Sequence, residues 1–554
     1  MKKNSKRILS LLTALTIATG LTACKSKGTV IDKIDTSKSQ LKIFNFDGGV
    51  GTEWLDKVIA RFEEDYKDYS FEPGKKGVQF QVDASKSNAL ETMNSNDRHI
   101  VFSEVANYGQ LVNNNELCDI TDILDKPLSE VTKTTDTQTL RSKMYRETID
   151  FYSFKGNKVY ALPHYSFFSA LTYNRQLFED KMLYFKDGYD ASGVLDEKFV
   201  HNKNDVKSCG PDGVKGTDDD GLPATYDELF NLFDYMKLKN VTPLIWSGKA
   251  AKSGGYINYI LNAVYLSLAG KDAAKVNYTF DSGDNTITVV ESFNGNEPVT
   301  KEEKITQADY RKMNSELAKY RTMQVVDRII DNENWQDESC RSETTEMLQA
   351  QQNYIESYNM NKPIGILVDG SYWYNEADEA NFIEDTANRY TDFYEKNDYR
   401  VFPMPRVYSG TYADVEGTSV GKTVYADQAD SIAVISAKNV KGNAAIETLA
   451  KTFLAYCYTA ESLEEFTVTT RVTRSLKYSV DETKLDDWGK EIWNYTSSSD
   501  LLLPYAPNDV YFNNKLNFSM HIDNDLWEAN GRSFYNYCKG SATAKDFFNV
   551  YKNR

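Results

Sequence analysis

The first quarter of the chain alternates strand and helix patterns, and this alternation is the strongest constraint on its fold. Residues 41–46 (LKIFNF) have the composition of a buried strand. Residues 53–66 follow with apolar side chains at the spacing of an amphipathic helix. Two short apolar runs, 78–82 and 100–102, again indicate strands. Strand, helix and strand in this order predict parallel strand pairing and an α/β layer.

The beginning of the chain has the pattern of an export signal. Basic residues within 2–7 precede a short apolar core at 8–20. Residues 21–24 (LTAC) resemble the lipobox of bacterial lipoproteins. This resemblance implies cleavage before Cys24 and lipidation of that residue, palmitate included. The alternative is an ordinary signal peptide with an incidental cysteine. The lipobox interpretation predicts a lipid-anchored protein on the extracellular face of the bacterial cytoplasmic membrane.

Composition argues against several classes of protein. The formal net charge of −17 disfavours nucleic acid as a partner, and it also disfavours electrostatic binding to anionic lipid. No CxxC pair occurs among the scattered cysteines after Cys24, so a disulfide framework is not expected. The sequence has no GxSxG, HExxH or P-loop motif and only four histidines, so it indicates no catalytic set and no organic cofactor.

The rest of the chain continues the mixed pattern. Thr225 and Glu228 form a capping box that predicts the start of a helix. Residues 275–294 predict a β-hairpin with its turn at 282–285, which opens a polar insertion running to about 345. Further strands are predicted at 242–246, 364–368 and 431–435, and a further helix at 443–458.

Several motifs occur in an order that resembles a known family. A glycine-rich stretch, 44–51 (FNFDGGVG), follows the first strand, and 243–248 (PLIWSG) and 365–376 (GILVDGSYWYNE) come later. With 160–163 (YALP), Tyr173-Asn174, Phe178 and 402–405 (FPMP), they resemble the extracellular solute-binding proteins of ABC importers. The likeness is to the carbohydrate-binding branch, similar to maltodextrin-binding proteins, and it spans nearly the whole mature chain.

This resemblance implies an α/β architecture of two lobes, the type II periplasmic-binding-protein fold, with hinge strands and an interlobe ligand cleft. The implied organisation begins with a lipoprotein signal peptide (1–23) and a flexible tether (24–40). The first lobe comprises 40–160 plus 425–465. The second lobe comprises 165–420 plus 466–554 and carries the insertion 275–345.

Family ligand contacts map onto strand ends that face the cleft. Carboxylates and arginine would hydrogen-bond sugar hydroxyls, while aromatic side chains would stack on sugar rings. Simpler roles stay open: helix-end caps for Asp47 and Glu104, a core position for Trp246 and ion pairing for Arg474. In this sequence the implied contacts are Asp47, Glu104, Tyr165, Trp246, Asp369, Trp373, Glu376 and Arg474.

An acidic loop at 210–223 is a candidate metal site. Aspartates separated by glycines suit Ca²⁺, which prefers six to eight oxygen ligands in a flexible loop. Related exported binding proteins carry a calcium loop near this position, so a structural Ca²⁺ is expected. The alternative is a solvated acidic turn. The candidate ligands are Asp212, Asp218, Asp219 and Asp220.

The resemblance implies a receptor that binds a carbohydrate, of the oligosaccharide class, and delivers it to the permease subunits of an ABC transporter. A monomer without enzymatic activity is expected. The abundant tyrosines, 37 in the chain, suit stacking on sugar rings. Two alternatives stay open: an exported glycoside hydrolase, which also needs aromatics and paired carboxylates, and a binding protein for a non-sugar solute such as a peptide.

Overall fold

The structure is a computed structural model that describes residues 33–85, 90, 93–104, 107–154, 156–249, 255–406, 410–415, 424–426, 431–503 and 527–553. The strands within these ranges are β1 (Ser39–Phe46), β2 (Val78–Ser85), β3 (Ile100–Ser103), β4 (Ser153–Phe154), β5 (Lys158–Val159), β6 (Ala161–Pro163), β7 (Ser169–Asn174), β8 (Thr242–Ile245), β9 (Ile287–Asn294), β10 (Glu297–Glu303), β11 (Ile364–Gly370), β12 (Tyr399–Val401), β13 (Val424–Ala426), β14 (Ile432–Ile435), β15 (Asp500–Leu502), β16 (Glu528–Ala529) and β17 (Arg532–Ser533).

The α-helices of the same ranges are mostly short, and α9 is bent by a non-helical Gly270 with φ 73°. They are α1 (Glu53–Asp65), α2 (Tyr108–Asn113), α3 (Thr121–Leu124), α4 (Leu128–Thr132), α5 (Leu140–Lys143), α6 (Arg146–Tyr152), α7 (Arg175–Lys181), α8 (Tyr226–Leu238), α9 (Ile257–Thr279), α10 (Leu317–Asp331), α11 (Met347–Ser357), α12 (Trp373–Glu379), α13 (Phe382–Arg389), α14 (Phe393–Lys396), α15 (Ala437–Val440), α16 (Ala444–Tyr456), α17 (Ala460–Thr470), α18 (Asp487–Ser498), α19 (Phe534–Cys538) and α20 (Ala544–Tyr551).

The first large sheet confirms the predicted parallel α/β layer. Its strand order is β2-β1-β3-β14-β6. Strand β1 pairs in parallel with both β2 and β3, with Ile43 opposite Val82 and Ile100. Strand β14 returns from much later in the chain and runs antiparallel to β3 and β6. The carboxyl ends of β1, β3 and β6 therefore meet at one edge of this sheet, where parallel α/β layers place their ligand sites.

The second large sheet has the order β12-β7-β11-β8. Strand β11 pairs in parallel with β8 and antiparallel with β7. All seven residues of β11 (IGILVDG) are buried, as expected for a central strand covered on both faces. The carboxyl ends of β8 and β11 and the amino end of β7 consequently share one edge.

Two chain segments cross side by side between the sheets. Residues 164–168 lead from β6 of the first sheet into β7 of the second. They run beside residues 471–475, and the N–H of Ser166 donates to the carbonyl of Thr473 at 2.9 Å. Helix α17, just before the second crossing, packs on α1, where Arg61 pairs with Glu465 at 3.0 Å. The two sheets and these paired crossings form the predicted two-lobed architecture.

The predicted hairpin at 275–294 is wrong in its position. Residues 275–279 are the last turn of α9, in which Val276 and Tyr278 are buried. The hairpin is formed instead by β9 and β10, with Asn294 opposite Glu297 and a two-residue turn that begins at Gly295, φ 61°. The glycine–asparagine dipeptide at 295–296 was the stronger turn signal, because glycine at the first turn position adopts positive φ without strain.

Candidate functional site

The loop after β1 brings backbone groups to the edge where the first sheet faces the second lobe. Asn45, buried in β1, donates its side-chain N–H to the carbonyl of Gly51 at 2.9 Å and so fixes the loop. Gly49 and Gly51 both have positive φ, 58° and 59°. A Cβ on Gly49 would lie 2.9 Å from Oη of Tyr165. Glycine at position 49 therefore permits a close approach that a side chain would obstruct.

Helix α12 of the second lobe contacts this loop directly. The backbone N–H of Gly49 donates to Oε1 of Glu376 at 3.2 Å. The side-chain amide of Asn375 donates to the carbonyl of Gly49 at 2.9 Å. Arg471, at the end of α17, forms an ion pair with Asp378 of α12 at 3.0 Å. These contacts hold the edges of the two lobes together.

A carboxyl pair lies behind this contact, at the end of β11. One amide nitrogen, Nε2 of Gln351, donates to Oδ2 of Asp369 and to Oε2 of Glu376, both at 3.1 Å. Burial, followed by the charge of Glu376, raises the pKa of Asp369 well above its ordinary value. The protonated form of Asp369 is thereby favoured, and a protonated carboxyl can donate as well as accept hydrogen bonds.

Aromatic rings line the same region. The hydroxyls of Tyr259 and Tyr372 lie 2.9 Å apart, and the Tyr256 ring is 5.1 Å from that of Tyr259. Phe167, in the first crossing segment, packs edge-on against Tyr372 at 5.0 Å. Burial, and then the neighbouring tyrosines Tyr259 and Tyr256, raise the pKa of Tyr372, so its hydroxyl stays protonated. Tyr256, Tyr372 and Phe167 are each only partly buried.

The structure brings together most of the carboxylates and the tyrosine predicted from sequence. Glu104 follows β3 and accepts a hydrogen bond from the Tyr165 hydroxyl beside Gly49. Asp369 and Glu376 share Gln351, as described. Asp47 is half-buried at the start of the loop that carries Gly49. Their role in ligand binding stays a prediction.

Three other predicted residues are placed elsewhere. Trp373 is fully buried in the core behind the second sheet, where its indole N–H donates to Oγ1 of Thr172 at 3.0 Å. Trp246 directly follows β8 and is 2 % exposed, within the main apolar core. Arg474 is also 2 % exposed, and its guanidinium lies 4.1 Å from the centroid of the Phe466 ring. Among the described residues, no hydrogen bond or ring contact joins these three side chains to Gly49, and a role for them in ligand binding stays a prediction.

Sequence reasoning missed several residues of the candidate site. Tyr256 and Tyr259 carried a usable signal, since they are three residues apart at the start of a long apolar helix. Tyr372 lay inside a motif already singled out. Gln351, in the middle of α11, and Asn375 carried no signal that the sequence alone would reveal.

The acidic loop does not gather the four aspartates predicted to bind Ca²⁺. Oδ2 of Asp219 accepts the N–H of Asp212 at 3.0 Å, and Oδ2 of Asp220 accepts that of Gly216 at 2.8 Å. The Asp218 side chain is fully exposed. In the part of the chain that the structure describes, no group of three or more His, Cys, Asp or Glu is arranged to hold a metal ion. The carboxylates fit backbone turns better than a Ca²⁺ shell, and calcium binding itself stays untested.

The predicted lipidation site, Cys24, lies outside the described residues. Within the described ranges, no helix has the length and apolar character that crossing a membrane requires.

Comparisons with solved structures identify the class of fold. A chitin oligosaccharide binding protein aligns with a TM-score of 0.55 and 15% identity, over 93% of this chain and 98% of that one. RafE in complex with raffinose gives 0.53 and 13%, over 93% and 99%. A probable secreted solute-binding lipoprotein from Streptomyces coelicolor gives 0.52 and 12%, over 94% and 99%. The chain thus has the two-lobed α/β fold of solute-binding proteins, type II, as predicted.

Sequence comparison adds no closer relationship. No protein-family model matches the chain. No curated protein matches it significantly either.

Proposed function

We propose that this protein is an extracytoplasmic receptor that binds an oligosaccharide between its lobes and delivers it to the permease of an ABC importer. The observation that carries the proposal is the convergence of partly buried aromatic rings and hydrogen-bonding groups from both lobes around Gly49. Tyr256, Tyr372 and Phe167 supply flat apolar faces with accessible area. Such rings, combined with a few oriented polar groups, are the usual lining of a site for a small polar ligand.

Each polar group has a role in this proposal. Glu104 and Glu376 accept hydrogen bonds from sugar hydroxyls, and the protonated Asp369 carboxyl can donate one. Ligand bound between the lobes would add contacts to both edges and so favour a closed arrangement over an open one. A ligand shifts such an equilibrium only by its differential affinity for the two states. The named solute-binding neighbours, which include proteins for chitin oligosaccharide and raffinose, support the choice of a sugar.

The first experiment is a thermal-shift and calorimetric screen of the mature protein against neutral mono- and oligosaccharides, with short peptides as a parallel panel. A ligand that binds only the native state raises the melting temperature by mass action. We expect one glycan class to raise it. The expected dissociation constant is near micromolar, which corresponds to a binding free energy of roughly −8 kcal/mol. A shift with peptides alone would contradict the sugar proposal. Chromatographic analysis of the glycan after long incubation tests the hydrolase alternative, and cleavage products would overturn the receptor role.

Two variants locate the site within that screen. Tyr372→Ala removes a ring from the aromatic lining and should weaken glycan binding. Tyr394→Ala is its matched control, because Tyr394 is 69 % exposed on the same lobe. Equal affinity of the two variants would place the glycan elsewhere.

The anchoring of the receptor is a separate proposal, supported by the lipobox-like residues 21–24. Lipid on Cys24 would keep the receptor beside its permease on the outer face of the membrane. Mass spectrometry of the protein expressed in a lipoprotein-processing host should find a diacylglyceryl group and amide-linked fatty acid on Cys24. Cys24→Ser should release the protein into the medium. A wild-type protein cleaved at another residue and free of lipid would support the ordinary signal peptide instead.

A further inference from the structure

Beneath the cleft edge of the first lobe lies a buried arginine that forms no ion pair with any residue the structure describes. Arg474 lies on the second crossing segment and is 2 % exposed. Its Nη1 donates to the carbonyl of Cys457 at 2.8 Å, whereas Nε and Nη2 have no hydrogen-bond partner. Among the described residues, no carboxylate lies within ion-pairing distance of this guanidinium. Arginine stays charged in proteins, so the cation persists where water is excluded.

Aromatic rings surround this cation. Its central carbon is 4.1 Å from the ring centroid of Phe466, 4.5 Å from that of Tyr458 and 5.0 Å from that of Trp54. Cation–π contacts offset only part of the cost of removing an ion from water. One carbonyl and three ring faces therefore leave the guanidinium under-compensated.

Most of the other buried polar groups that lack a hydrogen-bond partner near Arg474 are donors. The indole N–H of Trp54, in the first turn of α1, has no partner, and neither ring nitrogen of His164 has one. The rings of Trp54 and His164 are 5.4 Å apart. Burial and the charge of Arg474 lower the pKa of His164 well below its ordinary value. The imidazole is therefore neutral, and Arg474 and His164 do not repel each other as two cations. The hydroxyls of Ser431 and Ser475 are also buried without partners.

We propose that Arg474, Trp54 and His164 form a site for a small monatomic anion such as chloride. Three buried side chains from separate parts of the chain supply unpaired nitrogen groups there, and the one fixed charge is positive. Water would satisfy hydrogen bonds at such a site but not the charge. A glycan carboxylate is disfavoured as the occupant, because these side chains are at most 3 % exposed. The site is distinct from the proposed glycan site and does not depend on it.

Anomalous diffraction gives the direct test. Crystals of the wild-type protein grown in sodium bromide should show an anomalous peak within hydrogen-bonding distance of Nε or Nη2 of Arg474 and of the Trp54 indole nitrogen. Ordered water or a protein carboxylate at that position, with no bromide peak, would overturn the proposal. This measurement needs no variant, so it does not depend on a mutant that folds.

A solution measurement tests the same site by a different property. In buffers of equal ionic strength and without glycan, exchange of sodium gluconate for sodium chloride should raise the melting temperature by about 2–4 °C. Arg474→Met should abolish this chloride dependence. Arg471→Met is the matched control and should retain it, because Arg471 already pairs with Asp378 and Asp486. Equal melting temperatures of the wild-type protein in the two salts, or a chloride effect that survives in Arg474→Met, would contradict the proposal.

Discussion

The backbone N–H of Gly49 donates a 3.2 Å hydrogen bond to Oε1 of Glu376, and this bond joins the two lobes. Gly49 belongs to the loop after β1, and Glu376 to α12, which follows β11 of the other sheet. The two residues are 327 positions apart in sequence. The contact links the two lobes directly, so a substitution on either side should change the balance between open and closed forms.

Glu376→Ala tests this balance. The change leaves the buried N–H of Gly49 without its acceptor, which costs about 1–3 kcal/mol in the closed form. We expect glycan affinity to fall roughly tenfold to a hundredfold. We also expect the radius of gyration of the unliganded protein, measured by small-angle X-ray scattering, to increase. Glu384→Ala, an exposed carboxylate on the adjacent helix α13, should leave both unchanged. Unaltered scattering together with reduced affinity would assign Glu376 to ligand contact alone.

Gly49→Ala should impair the same contact for a steric reason. An alanine at φ 58° is strained by about 1–2 kcal/mol, and its Cβ would lie 2.9 Å from the Tyr165 hydroxyl. Calorimetry should show weaker glycan binding in Gly49→Ala than in the wild-type protein. Tyr165→Phe removes the obstructing oxygen, so the double variant should recover part of the loss but not the backbone strain. Purely additive effects in this cycle would show that the crowding between the two residues is unimportant.

Helix α12 shows why the sequence pointed to Trp373 as an aromatic ligand residue and not to its neighbour Tyr372. Trp373 and Ala377 are four residues apart and both fully buried, so they mark the core face of this helix. Tyr372, Asn375 and Glu376 have the same helical spacing on the other face, which meets the loop at Gly49. The likeness to a family singled out the motif, but the motif alone does not specify the rotation of the helix.

Trp373→Ala should therefore act on stability rather than specifically on binding. Truncation of a fully buried tryptophan costs about 3–5 kcal/mol, and here it also leaves the hydroxyl of Thr172 without its indole donor. Chemical denaturation should show this loss in the free energy of unfolding. Trp373→Phe, which keeps an aromatic ring in the core, should lose less and should bind glycan normally once folded. Weakened binding by a well-folded Trp373→Phe would restore Trp373 as a ligand residue.

Other parts of the fold differ in how far sequence determines them. The strand ends that carry Asp47, Glu104 and Asp369 could be predicted, because apolar runs mark the strands and parallel pairing collects their carboxyl ends. The hydrogen-bond donor to Asp369 could not be predicted from the sequence. Gln351 reaches it from α11 only through tertiary packing, and the local sequence around Gln351 is that of an ordinary polar helix. The acidic loop is ambiguous in sequence for a related reason, since aspartates beside glycines suit backbone turns as well as metal ligation.

Asp219, in that loop, gives the molecule a specific pH dependence. Burial, and to a lesser degree the charge of Asp212, raises the pKa of Asp219 from its ordinary value to about 6. The folded state therefore binds the Asp219 proton more tightly than the unfolded state does. This stabilisation is fully present below pH 4 and is lost as pH rises through 6.

Asp219→Asn removes this titration. Relative to the wild-type protein, the variant should gain stability between pH 4 and pH 7, by about 1–3 kcal/mol at the upper end. Denaturant unfolding at several pH values in this range measures the difference, to which groups remote from Asp219 contribute equally in both proteins. Asp218→Asn is the matched control for loss of a carboxylate from this loop, because the Asp218 side chain is fully exposed. A pH-independent difference for Asp219→Asn would show that Asp219 titrates alike in the folded and unfolded states.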